Sequence, residues 1–408
     1  MPVCRSCGAS IRHTVVDLGC QPLSNAYIDS VKPDEAERVY PLHARFCEQC
    51  FLVQVDDVVP PDRIFTDYAY FSSVSESWVS HASRFADEAV RRLRLGGESF
   101  VVEIASNDGY LLSNFVAVGI PSLGIEPAAN VAAVAVERGV PTEVRFFGPE
   151  VAADLVRDRR HADLIVANNV LAHVPDLNGF VDGLAVLLGP CGTISIEIPH
   201  LLQLIRGTQF DTIYHEHFSY FSLLAANEVF RRHGLRIADV EPLSTHGGSI
   251  RVSVVHERSA RATDSRVQAM FDEERAAGLH RYEGFAGFAG RVEACRDALV
   301  DFLVTARLEG RRVVGYGAAA KGNTLLNYAR VGPELLEFVA DRSPHKQGRL
   351  LPGSHIPVVH PFQIELVQPD EILILPWNLK DEIVDQLAYV RRWGGRLIVA
   401  VPSVETVS

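Results

Sequence analysis

The sequence predicts an α/β chain: a small metal-knuckle module followed by two doubly wound parallel sheets. Three observations carry that expectation. Two Cys-x-x-Cys pairs lie within the first 50 residues. From residue 100 to 199 short apolar runs alternate with helical stretches, the pattern of a parallel sheet covered on both faces. A second strand, glycine turn and helix begins at residue 311.

The pairs are Cys4-x-x-Cys7 and Cys47-x-x-Cys50. Cysteines at this spacing can turn both thiolates onto one metal, and two such knuckles make the tetrahedral site that zinc prefers. Redox dithiols are the competing reading, and two pairs so close in a chain expected to be cytoplasmic weigh against it. Four ligands leave no open position, so the zinc is expected to be structural, with the long insert between the pairs folding back on itself. Cys20, Cys191 and Cys295 have no such neighbour.

A segment rich in aromatic and hydroxyl residues follows at 65–73, then a helical pattern over 78–95 closed by Gly96-Gly97. Strands are expected at 100–105 and 121–126, near Val144, and at 161–169 and 192–199. A helix over 223–233 and two further strands, 236–240 and 248–255, complete this sheet. Helical sequence covers 265–308. Strands at 311–315, 337–341, 371–375 and 396–401 then form the second sheet. The expected domains are 1–66, 67–256 and 257–408.

At 47% hydrophobic and 22% charged, the 408 residues have a soluble globular composition. Neither a leader-like start nor an apolar run of bilayer length is present, which points to the cytoplasm and away from membranes. The net charge of −12 without a basic stripe argues against nucleic acid. A local pocket for an anionic small molecule remains compatible with it.

The first strand-turn-helix of the middle domain contains Glu103, Ser106, Asn107, Asp108 and Gly109, and Glu126 closes the next strand. A glycine there lets the backbone approach a ligand, and a carboxylate about 20 residues on can accept ribose hydroxyls. The turn lacks Gly-x-Gly-x-x-Gly and would repel a diphosphate, so S-adenosylmethionine fits better than a dinucleotide. Asn168 and Asn169 end a buried strand, where polar groups need partners, and are placed beside the cofactor. Phe147, with Phe146, follows the third strand, where an adenine ring or plain core packing competes for it.

The densest titratable cluster is Tyr214-His215-Glu216-His217. Such a group beyond the carboxyl ends of parallel strands suits proton abstraction. His215 and His217 could instead bind metal, but a third ligand is missing. His173 suits either a core histidine or a site residue.

Across nearly its whole length the chain resembles the zinc-containing sugar C-methyltransferases of deoxysugar and natural-product biosynthesis. The motifs are the four cysteines, Leu18-Gly-x-Gln-Pro-Leu-Ser-Asn25, Tyr70-Phe-Ser-Ser73, residues 102–109 and 168–176, and Tyr214-His-Glu-His217. Thr245-His-Gly-Gly-Ser-Ile-Arg251 and residues 316–324 complete the set. The resemblance implies three domains: the zinc module, a class I S-adenosylmethionine methyltransferase fold, and a C-terminal Rossmann-like domain. It implies methylation of a sugar ring carbon, usually C3 of a dTDP-linked 4-keto-6-deoxysugar. A proton α to a ketone yields to a side-chain base when the enolate is stabilised. The motif match carries the base onto His217, with Glu216 tuning it, Tyr214 on sugar oxygens, His173 donating to the enolate, and Tyr68 or Tyr70 closing the site, Tyr68 preferred.

In the C-terminal domain the turn at Gly315-x-Gly317 precedes a helix whose N-terminus can receive phosphate. Gly317, Lys321, Asn323, Asp341 and Lys346 are therefore assigned to the nucleotide-sugar diphosphate, with His246, Ser249 and Arg251 facing them from the middle domain. A monomer with two nucleotide-type sites follows. An NAD-dependent epimerase or dehydrogenase would use the same turn but leave the histidine segment idle. A zinc-ribbon binding module conflicts with the acidic charge. O- or N-methylation would need no enolate site.

Overall fold

The computed structural model describes residues 2–30, 37–56 and 72–407; Tyr68 and Tyr70 lie outside them. The first sheet is antiparallel and four-stranded, in the order His13–Pro22, Val39–Phe46, Val53–Val55 and Ser219–Tyr220. Its last strand is contributed by the segment just beyond the histidines, through Ser219 opposite Gln54 and Tyr220 opposite Val53.

The middle sheet has seven strands. In spatial order they are Leu235–Leu243, Ser249–His256, Leu188–Pro199, Ala162–Val166, Val101–Ile104, Ser122–Ile125 and Thr142–Glu143. Ser249–His256 runs antiparallel to both neighbours, and the other pairings are parallel. The central strands Val101–Ile104 and Ser122–Ile125 are buried at every position, as a sheet sandwiched between helices requires. One covering helix, Glu76–Leu93, starts where the Ser75 hydroxyl accepts the Trp78 N–H, and buries Ala82, Phe85, Ala86 and Ala89. The outermost strand stops at Glu143, one residue before Val144, which is exposed.

The helical stretch expected over 265–308 is two helices, Ser265–Ala276 and Phe288–Leu308. The break has a steric cause. Gly278 (φ +82°) and Gly287 (φ +76°) sit in the left-handed region, and Gly278 packs directly on Gly284. Six strands form the third sheet, in the order Val358–Val359, Val339–Ala340, Val313–Tyr316, Glu371–Ile374, Arg396–Val399 and Glu405–Val407. All pairings are parallel except the last. One hydrophobic core runs on from the first sheet into this domain, through Leu42, Phe46, Phe210, Phe288 and Leu325.

Candidate functional site

The two knuckles close onto each other. Cys4 and Cys47 each anchor a tight turn, with Gly8 N–H donating to Cys4 O and Phe51 N–H to Cys47 O. The four Sγ atoms lie within 4.8 Å of one another, with Cys4–Cys50 at 3.4 Å and Cys7–Cys47 at 3.5 Å. Zinc–sulfur bonds of about 2.3 Å in a tetrahedron require sulfurs about 3.8 Å apart, so the set fits a closed zinc site. Cys4, Cys47 and Cys50 are buried, as befits a metal that holds structure and meets no substrate.

At the tip of the middle sheet, Ala105 (φ +56°), Asn107 (φ +50°) and Gly109 (φ +75°) make a sharp turn out of the strand Val101–Ile104. A Cβ on Gly109 would press on Val140 and Ala135 at 3.0–3.1 Å, so the helix packs tightly behind the turn. Glu126 accepts the Asn107 and Ala128 N–H groups at 2.9 Å each, one on each carboxylate oxygen. Burial still raises its pKa. Glu103 is wholly buried, and burial, with Glu126 and Asp108 beside it, pushes its carboxyl well above the usual range. Glu103 Oε2, Ser106 Oγ, Asp108 Oδ1 and Asn169 Oδ1 are buried without a hydrogen-bond partner among the described residues. Four such atoms around one turn are costly to bury and suit a polar ligand with donors and acceptors, which the amino-acid and ribose ends of S-adenosylmethionine provide.

Asn168 and Asn169 tie this tip to the next strand: Asn168 Oδ1 accepts the Glu197 N–H at 3.2 Å, and the Asn169 N–H donates to Glu197 O at 2.7 Å. Phe147 packs edge-on against Phe180 at 5.5 Å and lies against Gly183, both on the helix Leu177–Leu187, while Phe146 is exposed.

The histidine segment follows a turn at Phe210–Thr212. His217 Nδ1 lies 2.9 Å from the Thr212 carbonyl, and Nε2 lies 2.8 Å from the Tyr214 hydroxyl. A carbonyl only accepts, so the proton is on Nδ1 and the neutral ring receives the Tyr214 O–H at Nε2. His173 donates from Nδ1 to the Glu216 carbonyl at 2.7 Å, and its ring stands edge-on to His217 at 4.6 Å. Burial, then the neighbouring His173, holds His217 well below the usual histidine range; burial takes His173 to about 4. Both are neutral near pH 7. His215 instead turns to the first sheet, with Nε2 donating to the Tyr40 and Pro41 carbonyls at 3.3 and 3.2 Å. Glu216 is buried, which raises its pKa, and accepts from Asn25 Nδ2 at 3.3 Å.

The residues assigned to the diphosphate divide into two groups. Lys321 stands over Trp377, 4.7 Å from the ring centroid, and donates to Asn378 Oδ1 at 2.6 Å. Its charge is one of the influences that lower His217 and His246. His246 stacks on Trp78 at 5.1 Å. The other group is tied up in packing. Asn323 is buried and donates to Ser24 O at 2.5 Å. Asp341 accepts the Ala318 and Ser343 N–H groups at 2.7 Å each, and Lys346 donates to Ala318 O at 2.8 Å. Gly317 (φ +85°) is pressed on Pro376, 2.5 Å from where a Cβ would stand. Ser249 donates to Thr245 O, and Arg251 is held by Glu197 and Glu241 and lies over Phe85. On wholly buried Glu197, His81 and Arg251 outweigh the burial that would raise its pKa.

Sequence reasoning missed Asp211, Thr212, Trp377 and the pair His81–Glu197. Their partners lie 54 to 166 positions away, apart from Thr212, whose role is a backbone carbonyl. A carboxylate directly after a phenylalanine, just ahead of the histidines, and one of only three tryptophans were the available signals.

Comparison with known proteins bears on these sites. Residues 4–65 match a putative zinc binding domain, 78–240 a methyltransferase domain, and 244–402 a C-methyltransferase C-terminal domain. The chain is 36% identical over 405 residues to the C-methyltransferase NovU of Streptomyces niveus, covering 99% of this chain and 96% of that one. It is 23% identical to a ubiquinone biosynthesis O-methyltransferase of Rhodopseudomonas palustris, over 32% of this chain and 60% of the relative. Among solved structures, magnesium protoporphyrin IX methyltransferase of Synechocystis PCC 6803 shares 14% identity and a TM-score of 0.35 over 44% of this chain and 83% of its own. The cysteine cluster, the sheet order and the full-length relative agree. The chain belongs to the zinc-containing, S-adenosylmethionine-dependent C-methyltransferases.

Proposed function

We propose that this C-methyltransferase methylates a ring carbon, C3, of a dTDP-linked 4-keto-6-deoxysugar through an enolate formed by a side-chain base. The observation that supports it best is the neutral His217, which donates its Nδ1 proton to the Thr212 carbonyl and accepts at Nε2 from the Tyr214 hydroxyl. A buried neutral imidazole with an oriented lone pair can accept a proton that an adjacent ketone acidifies. S-adenosylmethionine, held in the polar turn with Glu126 on its ribose, supplies the methyl group. His173 spends its one proton on the Glu216 carbonyl, so its Nε2 can accept from a sugar hydroxyl but cannot donate to the enolate as the resemblance implied. Lys321 from the C-terminal domain and His246 from the middle domain would face the anionic nucleotide sugar. Gly317, Asn323, Asp341 and Lys346 shape the C-terminal domain there through packing.

The Tyr214–His217 bond favours a second reading within the same chemistry. Tyr214 touches the substrate proton, and His217 takes the phenolic proton in turn. In both readings the pair must be neutral at the start.

The test is deuterium exchange. With S-adenosylhomocysteine, a dTDP-4-ketosugar and D2O, wild-type enzyme incorporates deuterium at C3, and His217→Asn loses this by about 10²–10⁴-fold. His215→Asn, whose ring is turned to the first sheet, loses far less. His173, His246 and Lys321 all disfavour the cationic form of His217, beside the neutral Tyr214. The base is active only when unprotonated, so exchange should persist as pH falls and drop only below the ordinary histidine pKa of about 6.5. Unimpaired exchange by His217→Asn would overturn the assignment.

A further inference from the structure

The C-terminal domain grips the catalytic segment at two residues, one on each side of Thr212. The Trp377 indole N–H donates to Asp211 Oδ2 at 2.7 Å, and the Thr324 hydroxyl donates to the Ile213 carbonyl at 3.3 Å. Asp211 and Thr324 are both wholly buried. Thr212, between the gripped residues, is the one whose carbonyl receives the His217 Nδ1 proton. Trp377 is itself fixed from two directions. Lys321 stands over its face, and its edge closes on Gly247, where φ +85° and the indole together leave no room for a side chain. Gln209, at the start of the same turn, donates to the Gly247 carbonyl at 2.7 Å.

We infer that Trp377 and Thr324 are positioning residues: they hold the Asp211–Ile213 backbone so that the Thr212 carbonyl keeps the proton of His217 on Nδ1 and its Nε2 open as an acceptor. A neutral imidazole has two tautomers, and the hydrogen bond at one nitrogen selects between them. If the carbonyl swings away, the ring samples the form protonated at Nε2, which cannot take a proton from Tyr214 or substrate. Thr212 offers His217 only its backbone carbonyl, and it is anchored locally by a short turn, with its hydroxyl donating to the Gln209 carbonyl at 2.7 Å and Ile213 N–H bonded to Phe210 O at 2.9 Å. The domain assigned to the sugar nucleotide therefore also sets the tautomer of the base. The inference rests on His217 serving as base or as partner of Tyr214.

Full-length, zinc-loaded protein carrying Trp377→Phe or Thr324→Val tests it. Thr324→Val removes one donor at constant shape, whereas Trp377→Phe removes its donor together with the ring edge on Gly247. In ¹⁵N spectra of histidine-labelled protein, wild-type His217 should carry its proton on Nδ1, and both variants should share it between the two nitrogens. Methyl transfer to dTDP-4-keto-6-deoxyglucose should fall roughly 10–100-fold, the scale of a small misplacement of a catalytic group, with S-adenosylhomocysteine affinity unchanged. Asp211→Asn, which can still accept the indole proton, should keep the wild-type tautomer. Wild-type His217 signals in both variants would overturn the inference, as would a loss of S-adenosylhomocysteine affinity in step with rate. If His217→Asn turns over normally, the base assignment itself fails; if His217→Asn is dead and both variants match wild type, only the clamp fails.

Discussion

The molecule contains the same motif twice, and the two copies are treated differently. In each, a buried strand ends in a turn with positive φ, a helix follows, and the next strand ends in a carboxylate: Glu126 in the middle domain, Asp341 in the C-terminal domain. Around the first turn, four buried polar atoms lack partners among the described residues. Around the second, the turn is filled. Asp341 takes the Ala318 and Ser343 N–H groups, and the Ala318 carbonyl takes both Tyr27 and Lys346. Pro376 closes on Gly317. A strand-turn-helix is thus a place where backbone groups converge, and what packs against it decides whether they meet a ligand or other residues. Here the packing comes from the N-terminal module, whose Ser24, Tyr27 and Asn25 reach Asn323, Ala318 and Glu216 respectively.

The largest effect should come from removing that module's zinc, because metal binding at such sites is worth about 10–16 kcal/mol and is folding energy. Chelation or Cys47→Ser should disorder residues 2–30 and 37–56, seen as fast amide exchange. The second turn then loses its filling, His215 loses the Tyr40 and Pro41 carbonyls, and methyl transfer stops. The first turn contains no residue of the module, so S-adenosylhomocysteine should still bind. Calorimetry showing that its affinity is lost with the zinc would break the contrast.

A smaller effect separates the two carboxylates. Glu126→Ala should weaken S-adenosylmethionine by about 1.5–3 kcal/mol, the range for a hydrogen bond to a charged group. Asp341→Ala should leave that affinity alone and lower the melting temperature, since it strands the Ala318 and Ser343 N–H groups. Equal losses of affinity in the two variants would mean that the turns do the same work.

What was legible in the sequence follows the range of the interactions. Strand and helix alternation, knuckle spacing and glycine turns are local patterns, and the seven-stranded sheet and the cysteine cluster could be read from them. The division of the helical stretch at residues 277–287 needed Gly278 packed on Gly284, a contact that no hydrophobic period announces. Arg251 carries a charge at a strand position, and only the fold brings wholly buried Glu197 to it across 54 residues. In the same way, Asp341 at a strand tip looks identical to Glu126 on paper. The difference lies in Tyr27, which is 291 positions from the carbonyl that it reaches.

Tyr27 therefore provides the finest probe of the contrast. Its hydroxyl donates to the Ala318 carbonyl at 2.5 Å, and Lys346 donates to the same oxygen while its ammonium lies 5.6 Å from the Tyr27 ring centroid. Burial raises the phenol pKa, so the group stays a donor throughout the working range. Tyr27→Phe removes one of two bonds to that oxygen and keeps the ring, so stability should fall by only about 0.5–1.5 kcal/mol. Lys346→Met should cost a similar amount, and the double variant should cost more than the sum, because the carbonyl is then buried with no donor. Affinity for S-adenosylhomocysteine should not move in any of the three. The informative measurement is dTDP binding to Tyr27→Phe. If the second turn serves only packing, affinity stays at the wild-type value; a clear gain would mean that the tyrosine occupies a ligand position and that the two turns differ in occupancy alone.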